Sequence, residues 1–150
     1  MKISIGSDHA AFKYKEEIIK LLKEENHIVN DMGIYEEIPI KDYVVAEKVA
    51  ISVSKGESQR GILICGTGIG MSISANKIPG VRAALCHNMF TAEMSRLHND
   101  SNILAFGSRV IDIELAKAMV IKWLSTEFEG GRHIPRNGHM MALDKKYRCS

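Results

Sequence analysis

Gly61-Ile62-Leu63-Ile64-Cys65-Gly66-Thr67-Gly68-Ile69-Gly70-Met71 joins a short apolar run to a loop with glycine at every second position, and the loop leads into a helical pattern over Met71 to Lys77. Gly61 to Cys65 is apolar throughout rather than alternating, as in a strand covered on both faces. Similar runs recur at Lys2 to Ser7, His27 to Asp31, Val81 to Cys86 and Ile103 to Gly107, which predicts five strands. Amphipathic stretches separate them. In the first, Tyr14, Ile18, Leu21 and Leu22 form an apolar face, and Lys13, Lys15, Glu16, Lys20, Lys23 and Glu24 are assigned to the other. Further helices are expected at Val45 to Ser54, Thr91 to His98 and Leu115 to Leu124. Strand and helix in alternation predict an α/β fold: a three-layer, doubly wound, Rossmann-like five-stranded parallel sheet with helices on both faces.

The 150 residues carry 20 Lys and Arg against 18 Asp and Glu, a formal charge of +2, with 45% hydrophobic residues. Length and composition fit one folded domain over 1–150, and argue against disorder or nucleic-acid binding. No apolar run approaches the roughly 18 residues needed to span a bilayer. Polar residues at Ser4, Ser7, Asp8 and His9 interrupt any signal-like start, so a cytoplasmic protein is expected. Cys65, Cys86 and Cys149 are odd in number and widely spaced, which favours a reducing compartment over a disulfide framework. From residue 126 the pattern breaks at Gly130-Gly131 and Pro135, and a last helix is expected around His139 to Lys146; the segment 126–150 reads as a tail laid over the domain or a neighbour.

Ligands of open parallel sheets bind beyond the carboxyl ends of the strands. Three such ends are polar here: Ser7-Asp8-His9, Cys65 to Gly70, and Gly107-Ser108-Arg109. The glycines let a ligand approach the backbone of the Gly66 to Gly70 loop, whose free amides favour negative charge. The spacing is neither that of a dinucleotide fingerprint nor that of a Walker loop. The plainer reading is a tight turn with small residues for packing. A thiol adjoining such amides, Cys65, is placed to act as a thiolate base or nucleophile, whereas a lone strand-end cysteine is more often simply buried. A phosphatase loop would need Arg six positions later, where Met71 stands, so proton abstraction is the stronger chemistry.

His98-Asn99-Asp100 closes a helix, where a histidine is either an acid/base group or part of a cap. His27 and His87 read as structural. No histidine pair has the i, i+4 spacing of metal ligands, so neither a metal nor a cofactor is expected. Arg132 and Arg136, four apart, are suited to converge on one phosphate, though exposed arginines commonly have no such role.

Taken together, Gly6-Ser7-Asp8-His9-Ala10-Ala11, Gly61 to Gly70, Ala75-Asn76-Lys77, His98-Asn99-Asp100 and Phe128-Glu129-Gly130-Gly131-Arg132-His133 with Arg136 resemble the ribose-5-phosphate isomerase B family, along nearly the whole chain. The resemblance implies cofactor-free interconversion of ribose 5-phosphate and ribulose 5-phosphate through an enediolate. Cys65 would be the base, and the amides of Gly66, Thr67, Gly68, Ile69 and Gly70 would stabilise the enediolate oxygen. His98 would open the sugar ring with help from Thr67. Asp8 and Asn99 would hold hydroxyls, and His9, Arg109, Arg132 and Arg136 the phosphate. Sites shared within a homodimer, or a tetramer, are implied, with His98, Asn99 and Arg109 from the partner of the chain supplying Cys65. The family's Asp-Tyr-Pro is replaced by Asp42-Tyr43-Val44 in a shifted register, which leaves Tyr43 outside the expected site. Competing readings are a hexose 6-phosphate isomerase, for example of allose 6-phosphate, a sugar-phosphate binding module that does not use Cys65, and a thiol-dependent hydrolase.

Overall fold

A computed structural model describes residues 1–34 and 43–148. The strands are β1 (Lys2–Ser7), β2 (Ile28–Asp31), β3 (Arg60–Cys65), β4 (Ala83–Leu85) and β5 (Ile103–Gly107). The helices are α1 (Phe12–Glu24), α2 (Tyr43–Ser54), α3 (Ile69–Ala75), α4 (Met89–Leu97), α5 (Ile113–Ser125) and α6 (His133–Tyr147), with a 3-10 turn at His9–Ala11. Every strand pair is parallel and the order is β2-β1-β3-β5-β4. The expected doubly wound sheet is therefore present.

Alternation along the strands divides the core between the two faces. Ile3, Ile5, Ile62, Ile64, Leu104 and Phe106 pack with Ile18 and Leu22 of α1 and Met119, Val120 and Trp123 of α5. Leu63, Cys65, Ile103 and Ala105 point the other way, into Val45, Val49 and Val53 of α2 and Met71 and Ala75 of α3. The strand order reverses between β1 and β3, the switch point at which open α/β sheets open a crevice. Asp8 follows β1 there, and Cys65 ends β3.

Three local expectations change. Lys15, assigned to the solvent face, is fully buried, because it shares the 15-18-22 stripe of α1; both carboxylate oxygens of Asp31 lie 2.8 Å from its Nζ. The fourth strand is shorter than Val81 to Cys86, because Gly80 (φ 79°) and the bond from the Val81 amide to the Ile78 carbonyl make a turn there. The last helix begins at His133, not His139. Pro135 sits in its first turn, where no backbone donor is needed, so the residue read as a breaker is a helix starter.

Candidate active site

The carboxyl ends of β1, β3 and β5 meet around a recess of about 210 Å³ lined by Asp8, Tyr43, Cys65, Gly66, Thr67, Gly70, Met71 and Arg109. Asp8 caps the turn after β1 by accepting the Ala11 amide at 3.0 Å, which fixes its carboxylate at the rim. Cys65 is buried at the recess floor, and the Gly68 amide donates to its Sγ at 3.0 Å. That bond ties the sulfur to the loop that follows it. Gly68 can hold this position because it has no side chain. Its φ is 77°, and a Cβ would lie 2.7 Å from the backbone of Phe106. Gly107 is needed in the same way, since a Cβ there would stand 2.6 Å from Thr67 Cα.

Not all the loop amides face a ligand. Gly68 serves the thiol, and Ile69 donates to Thr67 Oγ1 at 3.3 Å. The first helical bond of α3 runs from Ser72 to the Gly68 carbonyl, so the amides of Gly70 and Met71 lie ahead of the helical ladder. The cradle is thus narrower than Gly66 to Gly70, with Gly68 and Ile69 acting through Cys65 and Thr67.

Arg109 reaches this recess from its own chain. Its amide donates to the Gly66 carbonyl at 3.0 Å, and its guanidinium covers Gly66, where a Cβ would meet Nη1 at 3.1 Å. It therefore does not come from the partner of the chain that supplies Cys65, as the resemblance implied. Tyr43, left out on register grounds, lines the recess: a Cβ on Gly70 would fall 2.6 Å from its ring. The signal was Gly70 itself, which an aromatic ring at van der Waals contact requires to be bare. Asp42 lies outside the described residues. His9 follows Asp8, and its Nδ1 is buried with no hydrogen-bond partner among the described residues.

His98, Asn99, Arg132 and Arg136 are elsewhere. His98 caps α4 and precedes β5, so it sits at the amino end of a strand whose carboxyl end, Gly107, pairs with Cys65. Four residue steps of about 3.3 Å separate the ends of β5, so His98 and Cys65 occupy opposite ends of the sheet. The tail folds onto His98: the Glu129 amide donates to the Leu97 carbonyl at 3.1 Å, and Asn137 Nδ2 to the His98 carbonyl at 2.7 Å. Arg132 is the N-cap of α6, and Arg136 follows one turn on, on the same side. Asn99 borders a separate cavity of about 450 Å³ beneath α6, with Arg82, Asp144 and Arg148. One chain thus carries two separate clusters, a thiol recess and a histidine-arginine corner.

The other cysteines stand apart. Burial pushes the Cys86 thiol up, so it is a poor nucleophile, and Cys149 lies outside the described residues. His87 Nε2 accepts the Gly107 amide at 2.9 Å, a structural role as expected. Among the described residues, no helix is long and apolar enough to cross a membrane.

Residues 3–140 match the family described as Ribose/Galactose Isomerase. The chain belongs to that family. It is 46% identical over 145 residues to the Escherichia coli K12 protein named ribose-5-phosphate isomerase B, with 97% of each chain covered. It is also 44% identical to a Pectobacterium atrosepticum protein named D-erythrulose-4-phosphate isomerase, covering 91% of this chain and 90% of that one. Among solved structures, ribose-5-phosphate isomerase B from Mycoplasma genitalium with bound ribulose-5-phosphate superimposes with a TM-score of 0.93 at 37% identity, covering 97% of both chains.

Proposed function

We propose that this protein interconverts ribose 5-phosphate and ribulose 5-phosphate by proton transfer, with the Cys65 thiolate as base. The observation that carries the reading is the placement of Cys65: a buried sulfur held by the Gly68 amide at the floor of a polar recess, in a family whose members are named for this chemistry. The thiolate takes the proton from C2 of the open-chain aldose, and the electrons form the C1–C2 double bond of an enediol(ate). With the hydroxyl proton passing from O2 to O1, return of the carbon proton to C1 restores a carbonyl at C2 and gives the ketose. The amides of Gly66, Thr67 and Gly70, with the guanidinium of Arg109 near Gly66, favour the negative oxygen, a term that often dominates such catalysis. Tyr43 closes one wall of the recess against water.

In this reading a second copy of the chain completes the site. His98 of that copy opens the furanose ring with Thr67, Asn99 and Asp8 hold hydroxyls, and Arg132 and Arg136 meet the phosphate beside His9 and Arg109. The 126–150 tail is then part of the phosphate site, and a homodimer, or a pair of dimers, is the working unit in the cytoplasm. The separation of Cys65 and His98 to opposite ends of the sheet supports this arrangement.

Proton NMR of ribose 5-phosphate in D₂O with chelator-treated protein tests the activity. Ribulose 5-phosphate with deuterium at the carbon beside the carbonyl is expected, and Cys65→Ala should abolish turnover while phosphate binding persists. Faster turnover of D-erythrulose 4-phosphate or allose 6-phosphate would reassign the substrate. Binding of sugar phosphates with no exchange on any of them would leave only the binding-module reading.

A further inference from the structure

Three chemistry-bearing groups converge where the tail meets the end of α4. His133, 4% exposed, stacks its ring on that of His98, with centroids 4.3 Å apart and planes 14° from parallel. Glu129 stands one turn before His133. Its Oε2 is 3.3 Å from His133 Nε2 and 3.9 Å from His98 Nε2, and the three donor atoms lie within 4.8 Å of one another. Two imidazoles and a carboxylate are a donor set for a borderline divalent ion such as zinc or cobalt. A tetrahedral ion with bonds of about 2.0–2.1 Å needs its ligand atoms roughly 3.4 Å apart. The His133–Glu129 pair already has that spacing, at 3.3 Å. His98 must close by about half an ångström on Glu129 and by up to roughly 1.4 Å on His133, and its ring must turn out of the stack so that its in-plane lone pair meets the ion, a rotation open to the partly exposed His98 and not to the buried His133.

The backbone beneath the three groups is tied. Asn137 Nδ2 donates to the carbonyls of both His98 and His133, at 2.7 and 3.1 Å, and the Glu129 amide is bound to Leu97. The opposing feature is positive charge. Arg132 Nε is 3.4 Å from His133 Nε2, and Arg136 follows on the same side. Both arginines are exposed, so Arg132 can swing away when a cation enters.

We infer that His98, Glu129 and His133 form an inhibitory site for a divalent transition-metal ion, which stops turnover by engaging the imidazole of His98. The inhibitory part rests on the role given to His98 above; the binding part does not. Cobalt chloride titrated into the intact protein at pH 7.5 reads binding directly by visible absorption. One ion per chain is expected, with d–d bands and without the intense near-ultraviolet charge-transfer band of a cobalt–thiolate bond. Glu129→Gln, a change at an exposed carboxylate, should weaken binding at least about tenfold. Zinc chloride should inhibit isomerisation reversibly, with chelator restoring the rate and Glu129→Gln shifting the half-inhibitory concentration by the same factor. His133→Gln should repeat the shift; a circular-dichroism melt shows whether that buried change also loosens α6. A thiolate band, or cobalt affinity unchanged in Glu129→Gln, would overturn the site. Normal cobalt binding to an active enzyme that zinc does not inhibit would overturn its inhibitory role. A protein that binds cobalt as described but isomerises no sugar phosphate would sink the proposed function and leave the metal site standing.

Discussion

Gly68 and Gly56 form a matched pair that separates two costs of adding one methyl group. Both have left-handed backbones, φ 77° and 74°, but a Cβ on Gly56 meets open space, whereas one on Gly68 would lie 2.7 and 2.9 Å from the Phe106 backbone and 2.7 Å from Leu85. The left-handed conformation costs an alanine about 1–2 kcal/mol. Reduced freedom of the unfolded chain returns roughly 0.4–1 kcal/mol of that. Gly56→Ala should therefore destabilise by about 1 kcal/mol, a fall in Tm of roughly 2–4 °C for a domain of this size. Gly68→Ala adds overpacking against rigid backbone, about 1–3 kcal/mol more. It also shifts the amide that donates to Cys65, so kcat should collapse in Gly68→Ala and stay at the wild-type value in Gly56→Ala. Urea denaturation with parallel ribose 5-phosphate assays measures both. Equal denaturation midpoints for the two variants would refute the claim that Phe106 confines the loop, and full activity in a folded Gly68→Ala would refute the role given to its amide.

Other outcomes follow from buried charge and from histidine. Asp31→Leu removes both short contacts of the fully buried Lys15 ammonium and leaves it Glu16 Oε1 at 3.6 Å, so it should cost more by urea denaturation than Lys15→Met, which leaves a partly exposed carboxylate; the reverse order would contradict the geometry. Burial lowers the proton affinity of His87 and His27, the latter helped by the adjacent amino terminus. As pH falls through histidine's ordinary value of about 6.5, the unfolded chain takes up protons before the folded one, so stability should fall from pH 7.5 to 5.5. His87→Gln, which keeps an acceptor for the Gly107 amide, should flatten that slope, and a slope unchanged by the substitution would remove His87 as its source.

The strands and the polar loops after them were legible because both are local patterns: apolar runs of five or six residues, and glycine at every second position after Cys65. Asp8, Cys65, Thr67 and Arg109 meet because a parallel sheet brings its carboxyl ends together, a consequence of topology that alternation predicts. What was hidden is non-local. Lys15 reads as a surface residue until Asp31, on the neighbouring strand, is placed beside it. His98 and His133 are 35 positions apart and become partners only through the course of the tail, so a search for i, i+4 histidines passes over them. The start of α6 was obscured because proline ends a helix in its interior and begins one in its first turn, and spacing alone does not say which.

The separation of Cys65 from His98 within one chain makes the shared-site reading decidable by mixing inactive proteins. In a two-fold dimer, each site would take Cys65 from one subunit and His98 from the other. A heterodimer of Cys65→Ala with His98→Asn then has one site with both defects and one with neither. Equal mixing after reversible dissociation gives half heterodimers, each with one of two sites intact, so about a quarter of wild-type activity should return. Sites contained within single chains would stay dead in every combination, because each subunit lacks one of the two groups. Recovery also fails if subunits never exchange, so co-expression with two affinity tags, and purification of the doubly tagged species, is the decisive form. That species should show about half the wild-type rate per dimer, with unchanged KM. A doubly tagged dimer without activity would return His98 to a capping role and leave Cys65 to work with the residues of its own recess.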